Sequence, residues 1–224
     1  MNLNDILQRK DDDTLKYAIT TRLATANIPR RYGEVTLTNA SPKSDQSAAY
    51  DIFNGYATTF DRGTNIKSLY LYSASPGTGK TTSACALINE YIFRTIIREA
   101  KAKRPIPTSP AYFLDVNALQ TKYNLASMSS DADKLAEVAA EIERTSYVEF
   151  AVLDDVGVRS ATQSFRSLLH SAINHRVSEG LPTVYTSNLP ISELATVYDE
   201  RLADRLREQT VEVAFKGESK RGRR

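Results

Sequence analysis

Apolar residues in the later two thirds of the chain follow two spacings in turn. Short continuous apolar runs predict buried strands, and longer stretches with apolar residues three and four apart predict helices. The predicted strands span about 68–73, 111–116, 148–154, 183–187 and 210–215. The predicted helices span about 80–103, 132–145, 161–179 and 190–206. This alternation predicts an α/β domain in which a mostly parallel sheet is covered on both faces.

Residues before the first strand show only helical spacing. The spacing runs over about 3–27, where Asp11–Asp13 interrupts it and offers a cap to a second helix. It returns over about 45–60. These residues predict a short helical extension ahead of the α/β domain.

The first strand leads into a glycine-containing loop, Ala74-Ser75-Pro76-Gly77-Thr78-Gly79-Lys80-Thr81, and a long helix follows. Strand, glycine loop and helix in this order are typical of a phosphate-binding P-loop, because backbone N–H groups and the helix N-terminus face the anion. We expect Lys80 to reach the β- and γ-phosphates of a nucleotide and the Thr81 hydroxyl to bind Mg²⁺. Ala74 replaces the first glycine of the usual pattern, which requires a negative φ. The predicted nucleotide-binding residues are Pro76, Gly77, Thr78, Gly79, Lys80, Thr81 and Thr82.

Two carboxylates end the third predicted strand, Phe150-Ala151-Val152-Leu153-Asp154-Asp155. Ligands of open α/β sheets bind at the carboxyl ends of the strands, so both side chains are expected at a ligand crevice. Asp154 is placed to hold Mg²⁺ through water, and Asp155 is placed to orient or polarise the attacking water. Such a strand end is more often merely solvated, but the P-loop upstream favours the magnesium interpretation.

Polar residues after the next strand, and two arginines beyond it, are further candidates. Asn188, with Thr186 second, is predicted to sense the γ-phosphate, although Asn188-Leu189-Pro190 also has the pattern of a helix entry. Arg201 and Arg205 are four residues apart and so lie on one helix face. Arginines on a helix are usually solvated, but at this distance after a sensor strand they suit an arginine finger that enters a neighbour's site.

In this order the motifs resemble those of the AAA+ helicase loaders of the DnaC and DnaI type, with the IstB transposition ATPases as close cousins. The resemblance runs from about Ile28 to Gly217. Besides the P-loop, it rests on Ile28-Pro29-Arg30-Arg31-Tyr32, Leu153-Asp154-Asp155-Val156-Gly157, Glu179-Gly180-Leu181-Pro182-Thr183, Thr186-Ser187-Asn188-Leu189, Glu200-Arg201-Leu202-Ala203-Asp204-Arg205-Leu206 and Phe215-Lys216-Gly217.

The resemblance implies an AAA+ P-loop NTPase fold of the ASCE class with sheet order 5-1-4-3-2. It implies ATP and Mg²⁺ as cofactors, and Mg-dependent hydrolysis at a site shared between protomers that assemble side by side into a ring or spiral. It also implies delivery of a replicative helicase of the DnaB type to single-stranded DNA. The segment 116–129 would contribute to DNA binding through Lys122 and Tyr123, for which a polar surface loop is an equally good interpretation.

A division of the chain follows from the same resemblance. We expect residues 1–30 to be a short helical extension that binds the helicase, residues 31–215 to be the AAA+ ATPase domain, and residues 216–224 to be a basic tail that strengthens DNA binding. The extension is much shorter than the usual helicase-binding domain of cellular loaders and lacks the cysteines of the zinc-containing versions. This trimmed form would suit a phage-encoded loader.

Composition narrows the class of protein. The 224 residues have a net charge of +2 and include a single cysteine, Cys85, which excludes an intrachain disulfide and a multi-cysteine zinc site. No apolar run in the sequence approaches membrane-spanning length. We therefore expect a soluble cytoplasmic protein.

Three other functions fit part of the pattern. An IstB-like transposition ATPase, which would bind duplex DNA and a transposase, cannot be separated from a loader by these motifs. A nucleotide or small-molecule kinase would use the same P-loop, but Asp154-Asp155 and Asn188 favour attack by water, and the sequence offers no candidate acceptor pocket. A non-hydrolysing adaptor is disfavoured because the residues expected to bind and hydrolyse ATP are all in place: Lys80, Thr81, Asp154 and Arg205.

Overall fold

The computed structural model describes residues 13–157 and 161–217. Within them the strands are β1 (Ser68–Tyr72), β2 (Ala111–Asp115), β3 (Phe150–Asp154), β4 (Thr183–Ser187) and β5 (Thr210–Ala214). The α-helices are α1 (Asp13–Thr25), α2 (Ser47–Ala57), α3 (Lys80–Lys101), α4 (Val116–Ser129), α5 (Ala132–Tyr147), α6 (Gln163–Ser178) and α7 (Glu200–Gln209). Short 3-10 helices span Arg30–Tyr32, Ser41–Ser44, Thr58–Asp61 and Ile191–Thr196.

Parts of the predicted extension and tail fall outside the described residues. These are the helical spacing ahead of Asp13 and the basic residues after Gly217. In the part of the chain that is described, no helix has both the length and the apolar character needed to cross a membrane.

The described strands form one parallel sheet in the order β2-β3-β4-β1-β5. This is the predicted order 5-1-4-3-2 counted from the other edge, so the predicted topology is confirmed. Because β3, β4 and β1 are neighbours, the loops that follow them meet at the carboxyl edge of the sheet, where parallel sheets bind ligands.

Alternate strand residues enter two hydrophobic cores, one on each face of the sheet, as the two-residue period of a strand requires. On one face, Leu69, Leu71 and Phe113 pack with residues of α1, α2 and α3. On the other face, Tyr70 and Leu153 pack with residues of α4, α5, α6 and α7. The sheet is therefore covered on both faces, as predicted.

A buried arginine joins the elements at the amino edge of the sheet. Arg176 of α6 is fully buried, and its guanidinium donates to the Thr183 hydroxyl and to the carbonyls of Thr145, Val148 and Pro182 at 2.7 to 2.9 Å. Burial lowers the pKa of Arg176 to about 10, which leaves it charged at neutral pH. One side chain thus fixes the end of α5 and the entries to β3 and β4.

Helix α1 and the residues after it pack against the α/β domain. Ile19 is fully buried in the first core. Ala26 O accepts a hydrogen bond from Phe113 N at 2.8 Å, and the Asn27 amide donates to Phe113 O at 2.9 Å. Because β2 is an edge strand, these bonds cover backbone groups that would otherwise be open to another strand. The part of the predicted extension from residue 13 onward is thus integrated with the domain.

Two segments differ from the expected pattern. The single helix predicted over about 190–206 is a 3-10 helix followed by α7, because the Asp199 carboxylate accepts from Leu202 N at 2.8 Å and starts a new helix there. The segment after β2, which could have been a polar loop, is helix α4. It begins where the Asp115 carboxylate accepts from Ala118 N at 2.9 Å.

Candidate nucleotide site

A cavity of about 880 Å³ opens at the carboxyl edge of the sheet, a size that suits a cofactor. One part of its wall is formed by the P-loop and by the ends of β3 and β4. The other part is formed by Pro29, Arg31, Tyr32 and Ser41, which precede β1, together with Phe113. The predicted residues that line the cavity are Pro76, Gly77, Gly79, Lys80, Thr81, Thr82, Asp154, Asp155, Thr186 and Asn188.

The P-loop needs glycine at two places. Gly77 and Gly79 have φ values of 74° and 101°, which L side chains rarely adopt. A Cβ on Gly79 would lie 2.3 Å from Cγ of Pro42, so the neighbouring segment also excludes a side chain there. Ala74 does not have a positive φ, and alanine is therefore accommodated. Thr78 is buried outside the cavity wall, and its hydroxyl has no hydrogen-bond partner among the described residues.

Lys80 and Asn188 are in direct contact. Lys80 Nζ donates to Asn188 Oδ1 at 2.7 Å and lies 3.4 Å from Ser73 O and 3.5 Å from Ser75 O. Both side chains line the cavity. An anion bound there can meet the ammonium group of Lys80 and the N–H donors of the Asn188 amide together.

The oxygen atoms expected to surround Mg²⁺ also lie together. Thr81 Oγ1 is 3.0 Å from both carboxylate oxygens of Asp154, and Thr186 Oγ1 donates to Asp154 Oδ1 at 2.6 Å. Burial raises the pKa of Asp154 to about 6, and the hydrogen bonds from Thr186 and Thr81 oppose that rise. Hydroxyl and carboxylate oxygens are ligands that Mg²⁺ accepts, so this donor set fits a magnesium site that phosphate oxygens would complete.

Asp155 has a different environment from Asp154. Its φ of 66° is left-handed, a conformation that aspartate tolerates better than most residues. Its N–H donates to Thr186 Oγ1 at 2.8 Å, so one hydroxyl contacts both aspartates. Its carboxylate accepts a hydrogen bond of 2.6 Å from Asn117 Nδ2 in the first turn of α4. Asp155 therefore lines the cavity with one carboxylate oxygen already bonded to its own chain.

No protein-family model matches the chain. It is 27% identical over 152 residues to the replicative helicase loader DnaC of Escherichia coli K12, and the alignment covers 68% of this chain and 54% of DnaC. The chain thus spans about half the length of the curated relatives it matches.

Solved structures of helicase loaders are also similar to this chain. DnaI superposes with a TM-score of 0.61 and 22% identity, over 85% of this chain and 95% of DnaI. The DnaC helicase loader superposes with a TM-score of 0.60 and 21% identity, over 84% of this chain and all of the other. The initiator DnaA bound to AMPPCP and single-stranded DNA superposes with a TM-score of 0.58 and 18% identity, over 86% of this chain and 52% of DnaA.

The chain has the AAA+ ATPase fold. The resemblance to the DnaC and DnaI loaders, predicted from the motifs, is confirmed in sequence and in fold. The transposition ATPases are not favoured by these comparisons, and nothing in them supports a phage origin.

In this AAA+ domain the two candidate arginine fingers lie away from the cavity of their own chain. Arg205 of α7 donates to Ser178 Oγ at 2.8 Å and to Asn174 Oδ1, both on α6. Arg201 is exposed. Neither residue lines the cavity, so a contact with nucleotide bound in the same chain is not favoured. A role in a neighbouring protomer stays a prediction.

The two side chains expected to meet DNA are engaged within the AAA+ domain. Lys122 Nζ is 2.7 Å from Glu137 Oε2 and 3.0 Å from Glu141 Oε1. The Tyr123 ring packs at a centroid distance of 5.6 Å from Phe165 and against the second core. These contacts favour a structural role for both residues.

Some residues of the cavity were not assigned from the sequence. Arg31 and Tyr32 were noted only as part of the resemblance, yet both line the cavity, and the Arg31 guanidinium is 4.6 Å from the Tyr32 ring centroid. Asn117 was missed, although it follows the end of a strand just as Asp155 does. Polar residues directly after each predicted strand are the signal that could have found it.

Proposed function

We propose that the protein is an ATP-dependent loader that delivers a DnaB-type replicative helicase to single-stranded DNA during the initiation of replication. The observation that carries the proposal is the 27% identity to DnaC, which is itself a replicative helicase loader. A cavity whose donors fit a magnesium nucleotide supports it. This function would place the protein in the cytoplasm.

Hydrolysis of ATP follows from the side chains that meet in the cavity. Lys80 binds the β- and γ-phosphate oxygens, and Asn188 holds Lys80 and offers its own N–H donors to the γ-phosphate. Thr81 and Asp154 hold Mg²⁺, which neutralises charge on the phosphates when it is bound. Asp155 orients the attacking water and takes up its proton.

Two protomers share each hydrolytic site in this proposal, within a ring or spiral of copies. An arginine of α7 enters the neighbour's cavity and stabilises the charge on the transferring phosphoryl group. Arg205 would have to leave Asn174 and Ser178 to do so, whereas Arg201 is already exposed, so both are tested.

Mixing variants tests the shared site. Arg205→Ala should bind ATP and turn it over slowly, and Lys80→Ala should be inactive because its own cavity is empty. A mixture forms some interfaces with an intact P-loop opposite an intact Arg205, so hydrolysis should partly return. If both variants assemble and no mixing ratio restores hydrolysis, Arg205 is not the finger, and the same test is applied to Arg201→Ala.

The helicase contact is assigned to residues 1–30. Because residues from Asp13 to Asn27 are packed on the domain, deletion of 1–12 is the informative truncation. It should leave ATP binding and thermal stability unchanged and abolish co-purification with the helicase. Undiminished co-purification would reject this assignment.

Single-stranded DNA is the proposed second partner, as it is bound in the DnaA structure of the same fold. Gln46 holds the backbone of Lys216 through hydrogen bonds of 2.6 and 3.1 Å, so the first residue of the predicted tail lies at the carboxyl edge of the sheet. If about three charges in 216–224 meet phosphates, their contribution to log K should fall with log salt at a slope of about −2. A tail deletion that leaves both affinity and slope unchanged would show that the tail is passive.

A loading assay tests the whole function. The full chain, ATP, Mg²⁺ and a DnaB-type helicase are added to circular single-stranded DNA, and helicase retained on the DNA is measured after gel filtration. Loading should require the chain and ATP and should fail with Lys80→Ala. Absence of any helicase complex, together with retention of duplex DNA, would favour the transposition ATPase instead.

A further inference from the structure

The wall of the cavity divides by chemistry into two parts. The P-loop and strand ends carry the cation, hydroxyl and carboxylates that suit phosphates and magnesium. A nucleotide whose phosphates lie there must place its base and ribose against the remaining wall, which includes Arg31 and Tyr32. The Cζ atom of Arg31 lies over the ring of Tyr32, 4.6 Å from its centroid, and both groups have planar surfaces on which a base can stack.

We call the part of the wall that includes Arg31 and Tyr32 the base-side wall. Asn89 does not line the cavity, but it holds the base-side wall in place. Its side chain is fully buried on α3, and Nδ2 donates hydrogen bonds of 2.8 Å to Tyr32 O and of 2.8 Å to Val35 O. Two carbonyl acceptors require two N–H donors, which the amide NH₂ group supplies. The base-side segment is thus attached to α3 through its own backbone.

The same helix carries the phosphate-binding side chains. Asn89 follows Lys80 by nine residues on the continuous helix α3. At 1.5 Å per residue the two positions are about 13 Å apart along the helix axis. One rigid element therefore fixes the P-loop lysine and the base-side wall relative to each other.

The oxygen atom of the Asn89 amide indicates that packing is not the main role of this side chain. Asn89 Oδ1 is buried and has no hydrogen-bond partner among the described residues. An unpaired buried acceptor lowers stability, and an apolar side chain of similar size would remove it only by leaving the carbonyls of Tyr32 and Val35 without this donor. Asparagine is present here although its Oδ1 atom is unpaired within the described part of the chain. Its amide NH₂ group supplies the two hydrogen bonds to the backbone of Tyr32 and Val35.

We propose that Asn89 is a positioning residue that sets the base-side wall and thereby the contribution of base and ribose to nucleotide affinity. The inference rests on the proposed binding of ATP. It adds a residue outside the cavity whose loss should weaken recognition of the nucleoside and leave recognition of the phosphates intact.

Two ligands separate these effects in the full chain with Mg²⁺. Dissociation constants for ATP and for inorganic tripolyphosphate are measured by calorimetry for the parent, for Asn89→Leu and for Ile96→Val. Loss of the two hydrogen bonds should weaken ATP binding about tenfold in Asn89→Leu and leave tripolyphosphate binding within about twofold. Ile96, also fully buried on α3, is the matched control for altered packing, and its variant should bind both ligands like the parent.

The outcomes are distinct. Equal ATP affinity in Asn89→Leu and parent, or equal weakening of both ligands, overturns the positioning role while ATP binding stands. A parent that binds neither ligand overturns the proposed function itself.

A second measurement uses only the parent chain and does not depend on how the variant folds. Amide hydrogen exchange of residues 30–35 should slow more with ATP than with tripolyphosphate, because only ATP has a base to place against that segment. Equal protection by the two ligands would show that the base lies elsewhere and would overturn the inference.

Discussion

Lys80 and Arg176 are both buried cations on helices packed against the same sheet, and they differ in what surrounds them. Arg176 has no exposed surface, and four oxygens of its own chain accept its hydrogen bonds at 2.7 to 2.9 Å. Lys80 is 8% exposed, donates to Asn188 Oδ1 at 2.7 Å, and lies 3.4 and 3.5 Å from two carbonyl oxygens of the P-loop region.

The difference separates a cation that serves the fold from one that serves a ligand. The acceptors of Arg176 are mostly backbone atoms at the entries to strands, so its charge is satisfied without any partner from solution. Lys80 lies in the wall of a cavity beside a side chain that also faces the cavity. Short bonds to the chain's own backbone indicate a structural cation, and long ones beside a cavity indicate a binding cation.

The strongest test of this comparison is Arg176→Met, which keeps the length of the side chain and removes its donors. Three backbone carbonyls lose a buried partner, so the free energy of unfolding should fall by about 3 kcal/mol or more. Urea denaturation of the variant measures it. Arg207→Met is the control, because Arg207 is an exposed arginine paired on the surface with Asp204, and it should change stability by less than about 0.5 kcal/mol. An Arg176 variant as stable as the parent would contradict the structural role.

Lys80→Met should give the opposite result. ATP affinity should fall by about a hundredfold, because the principal phosphate-binding cation is lost, and the free energy of unfolding should change by less than about 1 kcal/mol. Lys101→Met, at the exposed far end of the same helix, should leave affinity unchanged. If Lys80→Met unfolds the protein or binds ATP like the parent, the two cations do not differ in the way their contacts indicate.

Much of this arrangement could be predicted from sequence because it is local or periodic. The five strands followed from apolar runs that alternate with helical stretches, and their order followed from the resemblance to the helicase loaders. Lys80, Thr81 and Asp154 followed from motifs in which a few neighbouring residues carry the chemistry. The meeting of Lys80 with Asn188, 108 positions away, could be expected because both follow strands of one parallel sheet.

Other features depend on contacts that no local pattern records. Asn89 looks like one more polar residue in a helix until the fold brings the carbonyls of Tyr32 and Val35 to it. Arg176 looks like a solvated arginine near a helix end, since its acceptors come from three separate elements. Helix α4 was missed because the apolar residues buried on it are only Val116, Leu119 and Ala126, which form a short stripe.

The two aspartates extend the comparison to anions. Asp154 is buried and bonded to two hydroxyls, whereas Asp155 lines the cavity and its carboxylate accepts a hydrogen bond from Asn117. Asp155→Asn should therefore keep ATP binding and lower kcat by about a hundredfold, as expected for loss of a general base. Asparagine also tolerates the left-handed φ of this position, so the backbone is preserved. Hydrolysis at the parent rate would show that Asp155 does not act on water.

Asn117→Ala should have the smallest effect and the opposite sign. Asn117 Nδ2 donates to Asp155 Oδ2 at 2.6 Å and so occupies one oxygen of that carboxylate. Removing that donor frees this oxygen to contact water, so hydrolysis in the absence of partners should rise about two- to fivefold with little change in ATP affinity. Ser127→Ala, further along α4 and exposed, is the control and should hydrolyse ATP at the parent rate. A fall in hydrolysis for Asn117→Ala would mean that the bond positions Asp155 for catalysis. Asp155 would then resemble Arg176, because its role would depend on a hydrogen bond within its own chain.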